Sequence, residues 1–188
     1  KVYDSFGDGM SPGGHVLRTS SGDRIIDNNN NGQGFTTTSQ APMGFCVPIG
    51  ADALMAASCD VENLTATNAL RAQVNAAVTA QYGMGNQTDD GYQFWVYNPN
   101  GGFSRRIFFS HAAPGPGAPG ATPAGEKSSW FKLSSMGAPN AIPQYVLLNI
   151  RVRARVNGVS AEFGPACRMK IDPTANCLTT QLTTTANP

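Results

Sequence analysis

One segment dictates more about this chain than any other. Residues 145–156 read YVLLNIRVRARV. The even positions are Val146, Leu148, Ile150, Val152, Ala154 and Val156, and the odd ones are Tyr145, Leu147, Asn149, Arg151, Arg153 and Arg155. Successive side chains of a strand point to opposite faces, so six apolar residues in strict period two predict a strand with the even face buried and the odd face solvated. Asn157-Gly158 predicts a tight hairpin turn after it. The returning stretch EFGPACRMKID would point Cys167, Met169 and Ile171 inward and Arg168 and Lys170 outward. This half is therefore expected to be antiparallel. No sustained 3.6-residue period supports a helical repeat or a parallel α/β fold.

The other elements are shorter. GYQFWVYNPNGG predicts a strand with Tyr92, Phe94 and Val96 on one face and Trp95 and Tyr97 on the other, ending in the turn NPNGG. FSRRIFFSH would return beside it. SSWFKLSSM reads as a short strand, and ALMAASCDVENL as a strand and a bend. TNALRAQVNAAVTAQYG fits either a short helix or a strand. The Pro/Gly-rich stretch AAPGPGAPGATPAG cannot form a central strand. Upstream, HVLRT and DRIID flank SSGD, a hairpin signal. Four regions result: a small β-module at 1–45, a connector at 46–52, a β-sandwich at 53–173 and an extended Thr-rich tail at 174–188. The small module has too few large apolar residues to bury much alone, so it is expected to pack on its neighbour or on another chain.

Only 13% of the 188 residues are charged, and Asn, Thr, Ser, Gln and Gly supply the polar surface, which fits an extracellular β-protein better than a cytosolic enzyme. No run approaches the length of a membrane span, so membrane insertion is not expected. No signal peptide is present and residue 1 falls inside a β-like segment, as expected of a fragment or a processed chain. The net charge of +1 hides an asymmetry. Residues 1–100 carry four Lys/Arg against nine Asp/Glu, and residues 101–188 carry nine against three. An acidic front and a basic back would draw copies together head to tail. Cys46, Cys59, Cys167 and Cys177 lack the spacing of zinc sites, and an even count in such a chain suggests disulfides. Three pairings are open: they include the local pairs Cys46–Cys59 and Cys167–Cys177, and also Cys59–Cys167, which needs the first and last strands of the second module to lie side by side. Free buried thiols are the remaining alternative.

The hairpin YVLLNIRVRARVNGVSAEFGPACRMKID resembles the last two strands of fibronectin type III domains, and GYQFWVYNPNG would be a middle strand. The fold expected is all-β: an antiparallel immunoglobulin/fibronectin-III-like sandwich preceded by a small β-hairpin module. A second resemblance spans nearly the whole chain. DSFGDGMSPGG, FCVPIGAD, SCDVENL, GYQFWVYNPNG, NIRVRARVNG and FGPACRMKID follow in the order of a recurring segment of large secreted cell-surface proteins of Bacteroidota. It departs from that pattern at Met10, where the turn motif has Trp. The resemblance implies type IX secretion cargo at the bacterial cell surface, adhesin-like or matrix-forming.

Catalytic chemistry finds little footing. His15 and His111 sit beside flexible sequence and read as turn or surface residues. No nucleophile elbow or phosphate loop occurs. Asp89 and Asp90 are adjacent in a turn and would point apart, unlike a glycosidase pair. Asp4 and Asp8 are candidate oxygen ligands for calcium, but DSFGDG lacks the acid that closes an EF-hand loop. Asn63 and Asn86 match the glycosylation pattern. Arg151, Arg153, Arg155, Arg168 and Lys170, extended by Arg105 and Arg106, form a basic face. Near-neutral net charge and the cysteines argue against nucleic acid. That face is expected to meet the acidic front of another copy. Trp95, Tyr97 and Trp130 are candidates for a sugar-stacking platform. The expected function is a non-enzymatic extracellular structural or adhesive module of a large surface or fibrous assembly. The alternative is a carbohydrate-binding adhesion domain, calcium-assisted.

Overall fold

The structure, a computed structural model, describes residues 16–27, 52–85 and 87–176. Asp4, Asp8, His15, Cys46, Asn86, Cys177, the connector up to residue 51 and the tail from 177 lie outside the described residues.

The predicted upstream hairpin is present: β1 (Val16–Arg18) pairs antiparallel with β2 (Arg24–Asp27). The Thr19–Asp23 turn between them is closed by Thr19 N donating to Asp23 O at 2.8 Å. ALMAASCDVENL forms a 3-10 turn at Ala56–Ser58 and then β3 (Val61–Leu64). The ambiguous stretch after it divides. Leu70 enters the core on β4 (Ala69–Arg71), and Asn75 caps α1 (Ala76–Ala80) by accepting from Ala77 N at 2.9 Å.

β5 (Gly91–Tyr97) and β6 (Ser104–Ser110) form the predicted hairpin around NPNGG. The Pro/Gly-rich stretch leads to a 3-10 turn at Ala124–Ser129 and then to β7 (Trp130–Lys132). β8 (Leu148–Val156) turns through Asn157 and Gly158 into β9 (Val159–Ser160), and β10 (Cys167–Ile171) completes the return. Asn157 and Gly158 have φ of 50° and 75°, the positive values at both positions that a type I′ turn needs.

These strands build a six-stranded sheet in the order β3-β10-β8-β5-β6, with β9 also on β8. All its pairings are antiparallel except β3 with β10, which is parallel, so the sheet is mixed rather than wholly antiparallel. Between β9 and β10 the chain still follows β8, with Ala161 N donating to Ala154 O and Gly164 N to Val152 O. Gly164 is required there, because a Cβ would lie 2.0 Å from the Asp52 carbonyl oxygen.

The parallel pairing puts the residues before β3 beside the start of β10. Cys59 and Cys167 are disulfide-bonded there, across 108 residues of sequence. Of the pairings left open by the sequence, this is the one that needed the first and last strands of the module side by side.

The inner face carries the core. Tyr92, Phe94 and Val96 of β5, Leu148, Ile150, Val152 and Ala154 of β8, and Met169 and Ile171 of β10 are all buried. β4 and β7 pair as a separate two-stranded ribbon on this face. Phe131 of β7 stacks on Phe94 with ring centroids 5.2 Å apart. Leu70, Leu133, Met136 and Val78 join the same cluster. Fully burying side chains of this size stabilises by about 1.5–3 kcal/mol each. Tyr92 accepts a hydrogen bond from Asn75 N at 2.7 Å, and burial pushes its phenol up to about 12.

Candidate functional site

The outer face of the large sheet collects aromatic and basic side chains through strand register. Trp95 on β5 stands between Arg106 on β6 and Arg151 on β8. Gln93 stands between Phe108 and Arg153, and Tyr97 between Ser104 and Asn149. Cross-strand neighbours on one face lie close enough to interact directly.

Trp95 and Tyr97 stack, with centroids 4.4 Å apart and planes inclined by 28°. The indole N–H donates to Ser104 Oγ at 2.9 Å. Phe163, carried by the segment between β9 and β10, comes within 5.3 Å of Trp95. Guanidinium groups cover these rings. Arg106 lies 4.7 Å from the Trp95 centroid and 5.3 Å from that of Phe163. Arg153 lies 4.5 Å from Phe163, and Arg151 is 5.9 Å from both Trp95 and Tyr97. Such contacts contribute about 0.5–1 kcal/mol each when exposed and more when dehydrated.

Arg153 Nε donates to Gln93 Oε1 at 2.9 Å. Burial, and after it the charge of Arg106, hold the Arg153 guanidinium below its ordinary value, against the opposing pull of Glu162. Neither Arg106 nor Arg153 forms an ion pair with a carboxylate of the described residues.

Three further members of the predicted basic face, Arg155, Arg168 and Lys170, are neutralised within the chain, while Arg105 donates to the Asn140 carbonyl at 2.9 Å. Arg155 pairs with Asp89 at 3.1 Å. Arg168 reaches Asp60 at 3.5 Å and Glu62 at 3.3 Å. Lys170 meets Asp172 at 3.0 Å, and the Thr174 hydroxyl, then Lys170, hold the Asp172 carboxyl below the usual carboxylate range. Nor is the odd face of β8 solvated throughout. Asn149 is fully buried and Arg151 is 5% exposed. Arg151 is held against the Trp95 and Tyr97 rings, and β2 approaches β8 at close range.

The three aromatics of the proposed platform are not brought together. Phe131 faces the large sheet, so its chain neighbour Trp130 points out of the opposite side of the molecule, where Arg71 lies over its ring at 5.3 Å. Arg71 is itself paired with Glu126 at 2.7 Å. Tyr97 is buried and only Trp95 and Trp130 are half-buried.

His111 is not a surface residue. It is 7% exposed, and its Nε2 donates to the Val78 carbonyl at 2.8 Å, joining β6 to α1. Asp89 and Asp90 do serve separate partners. Asp90 is buried and accepts from Asn157 N, bracing the β8–β9 turn. Asn63 is exposed. Phe163 and Gln93 were missed by sequence reasoning. The period-two pattern that would have placed Phe163 on this face is broken by Gly164 and Pro165.

Among the described residues, no three His, Cys, Asp or Glu side chains are grouped to hold a metal ion, and no helix is long and apolar enough to cross a membrane. Comparison with protein-family models, with curated proteins and with solved structures finds no match for this chain.

Proposed function

We propose that this chain is a non-enzymatic extracellular module with a structural or adhesive role, one unit of a large surface or fibrous assembly. The observation that carries the reading is the Cys59–Cys167 disulfide. Structural disulfides persist in oxidising compartments. This one also joins the start of the module to its last strand, so tension applied on either side passes through the bond and bypasses the residues between. That suits a unit whose work is mechanical.

The fibronectin-III-like sandwich is part of the proposal. The β4–β7 ribbon stacked on the large sheet through Phe131 and Phe94 supports it. The ordered motifs that resemble Bacteroidota surface proteins support a bacterial cell-surface location. The carbohydrate-binding alternative has less support as first framed, because Trp130 lies apart from Trp95 and Tyr97.

Peptide mass spectrometry of protein from intact cells, under non-reducing conditions and with or without external protease, tests the reading. It expects a Cys59–Cys167 cross-linked peptide pair and cleavage by protease that cannot enter the cell. Free thiols in native material, or full protection of the chain, would sink it.

A further inference from the structure

We infer that Arg106 and Arg153, seated over Trp95 and Phe163, form a binding site for the carboxylate or sulfate groups of an acidic polysaccharide. The inference rests on the adhesive reading and names its ligand.

Four cationic side chains of the described residues, Arg71, Arg155, Arg168 and Lys170, have carboxylate partners. Arg106 and Arg153 have none, yet both guanidinium groups lie over the one Phe163 ring. Two like charges held close on a partly dehydrated surface repel each other, and a bound anion relieves that repulsion. Burial, and then the charge of Arg106, act against the charged form of Arg153 in the same sense. A guanidinium is a planar fork that matches carboxylate and sulfate oxygens. The rings and Gln93 hold the forks in place beforehand, which reduces the ordering cost of binding.

The position on the sheet favours a sugar chain over a peptide. On this side of the sheet an added strand could pair only along the edge strand β6, two strands away from Arg153 on β8, so a ligand that spans both forks lies across the face rather than along an edge. A pyranose keeps its hydroxyls in water and presents its carboxylate or sulfate oxygens to the two forks. A second copy offers fewer free carboxylates than its acidic half suggests. Asp60, Glu62, Asp89, Glu126 and Asp172 are already engaged by cations of their own chain.

The test measures binding of the full chain to immobilised polygalacturonate and dextran sulfate. Neutral dextran, poly-glutamate and a single-stranded oligonucleotide serve as comparisons. Arg106→Gln and Arg153→Gln are each expected to weaken polyanion binding, and the double variant at least tenfold, with Lys132→Gln on the distal ribbon unchanged. Arg106 is exposed, so its variant keeps the fold and the test stands even if Arg153→Gln does not. Retention of most of the affinity by Arg153→Lys, or losses with Lys132→Gln equal to those with Arg106→Gln, would reduce the effect to bulk charge and overturn the site. So would equal binding of poly-glutamate or of the oligonucleotide, or no binding to either polysaccharide. Such a failure with the disulfide and surface exposure intact refutes the site and leaves the module reading standing.

Discussion

Reducing the Cys59–Cys167 bond releases a loop of 108 residues in the unfolded chain. Chain-entropy arguments assign such a loop about 4.7 kcal/mol of stabilisation, and removal of native disulfides typically costs about 2–5 kcal/mol. The module from residue 52 to 176 has an unfolding entropy of about 0.26 kcal/mol per kelvin, at roughly 2.1 cal/mol/K for each residue. The ratio gives a fall in Tm of roughly 8–18 °C. The assay is a calorimetric or circular-dichroism melt with and without a phosphine reductant, with the thiols counted by mass after alkylation. The Cys59→Ala/Cys167→Ala variant is expected to match the reduced protein. Both positions are buried, at 5% and 2% exposure, so the variant adds a small packing loss of its own. A fall below about 3 °C with both thiols shown to be free would refute the reasoning. It would mean that the reduced chain keeps β3 and β10 together through other contacts even when unfolded.

Other predictions follow from single residues. Tyr92 has its phenol raised by burial to about 12. Its unfolded counterpart ionises near 10, so this contribution is complete below that pH and is lost as pH rises towards 12, by about 1.4 kcal/mol per unit. Urea titrations between pH 9 and 11.5 should show this slope in the native protein and not in Tyr92→Phe; equal slopes would remove Tyr92 as its source. Gly164→Ala should lose about 1–3 kcal/mol, since a Cβ there meets the Asp52 carbonyl and the chain must shift off β8; an unchanged urea midpoint would show that the contact is not close. Phe131→Ala removes a fully buried ring stacked on Phe94 and should cost about 3–5 kcal/mol by chemical denaturation. A cost under about 1 kcal/mol would mean that the ribbon does not pack on the sheet. The Asp90→Ala variant leaves the Asn157 N–H without its partner and should lose about 1–3 kcal/mol, while Asp89→Ala, at an exposed ion pair, should lose less than about 1 kcal/mol.

How much of this fold could be read from residues depends on the range of the interaction. The alternation of 148–156 and of 91–97 marked β8 and β5 and their buried faces, because period two is a local property of the backbone. Asn157-Gly158 marked its turn for the same reason. The predicted strand started too early. Tyr145 is exposed with φ of 63°, and pairing with β5 begins only at Asn149. The parallel β3–β10 pairing has no local signature, since both strands are short and lie more than a hundred residues apart. Alternation says which residues share a face but not what covers that face. This is why Asn149 and Arg151 were expected in solvent. His111 was misplaced because its flexible neighbours on the C-terminal side suggested a loop, while its ring is held by a carbonyl of α1.

Charge gives the sharpest contrast between sequence and structure. The two halves of the chain carry opposite net charge, which suggests copies meeting head to tail. Folding instead brings Asp60 and Glu62 to Arg168, Asp89 to Arg155, and Arg71 to Glu126, each pair joining the acidic half to the basic one. Exposed pairs of this kind contribute little to stability. Their larger effect is on recognition, because a carboxylate engaged by its own chain is a weak lure for a neighbour's arginine. Among the described residues, Arg106 and Arg153 form no ion pair and are held together over the Phe163 ring on the outer face of the sheet. A surface built that way suits an anion that lies across both guanidinium forks, which is why an adhesive partner is sought among acidic polysaccharides.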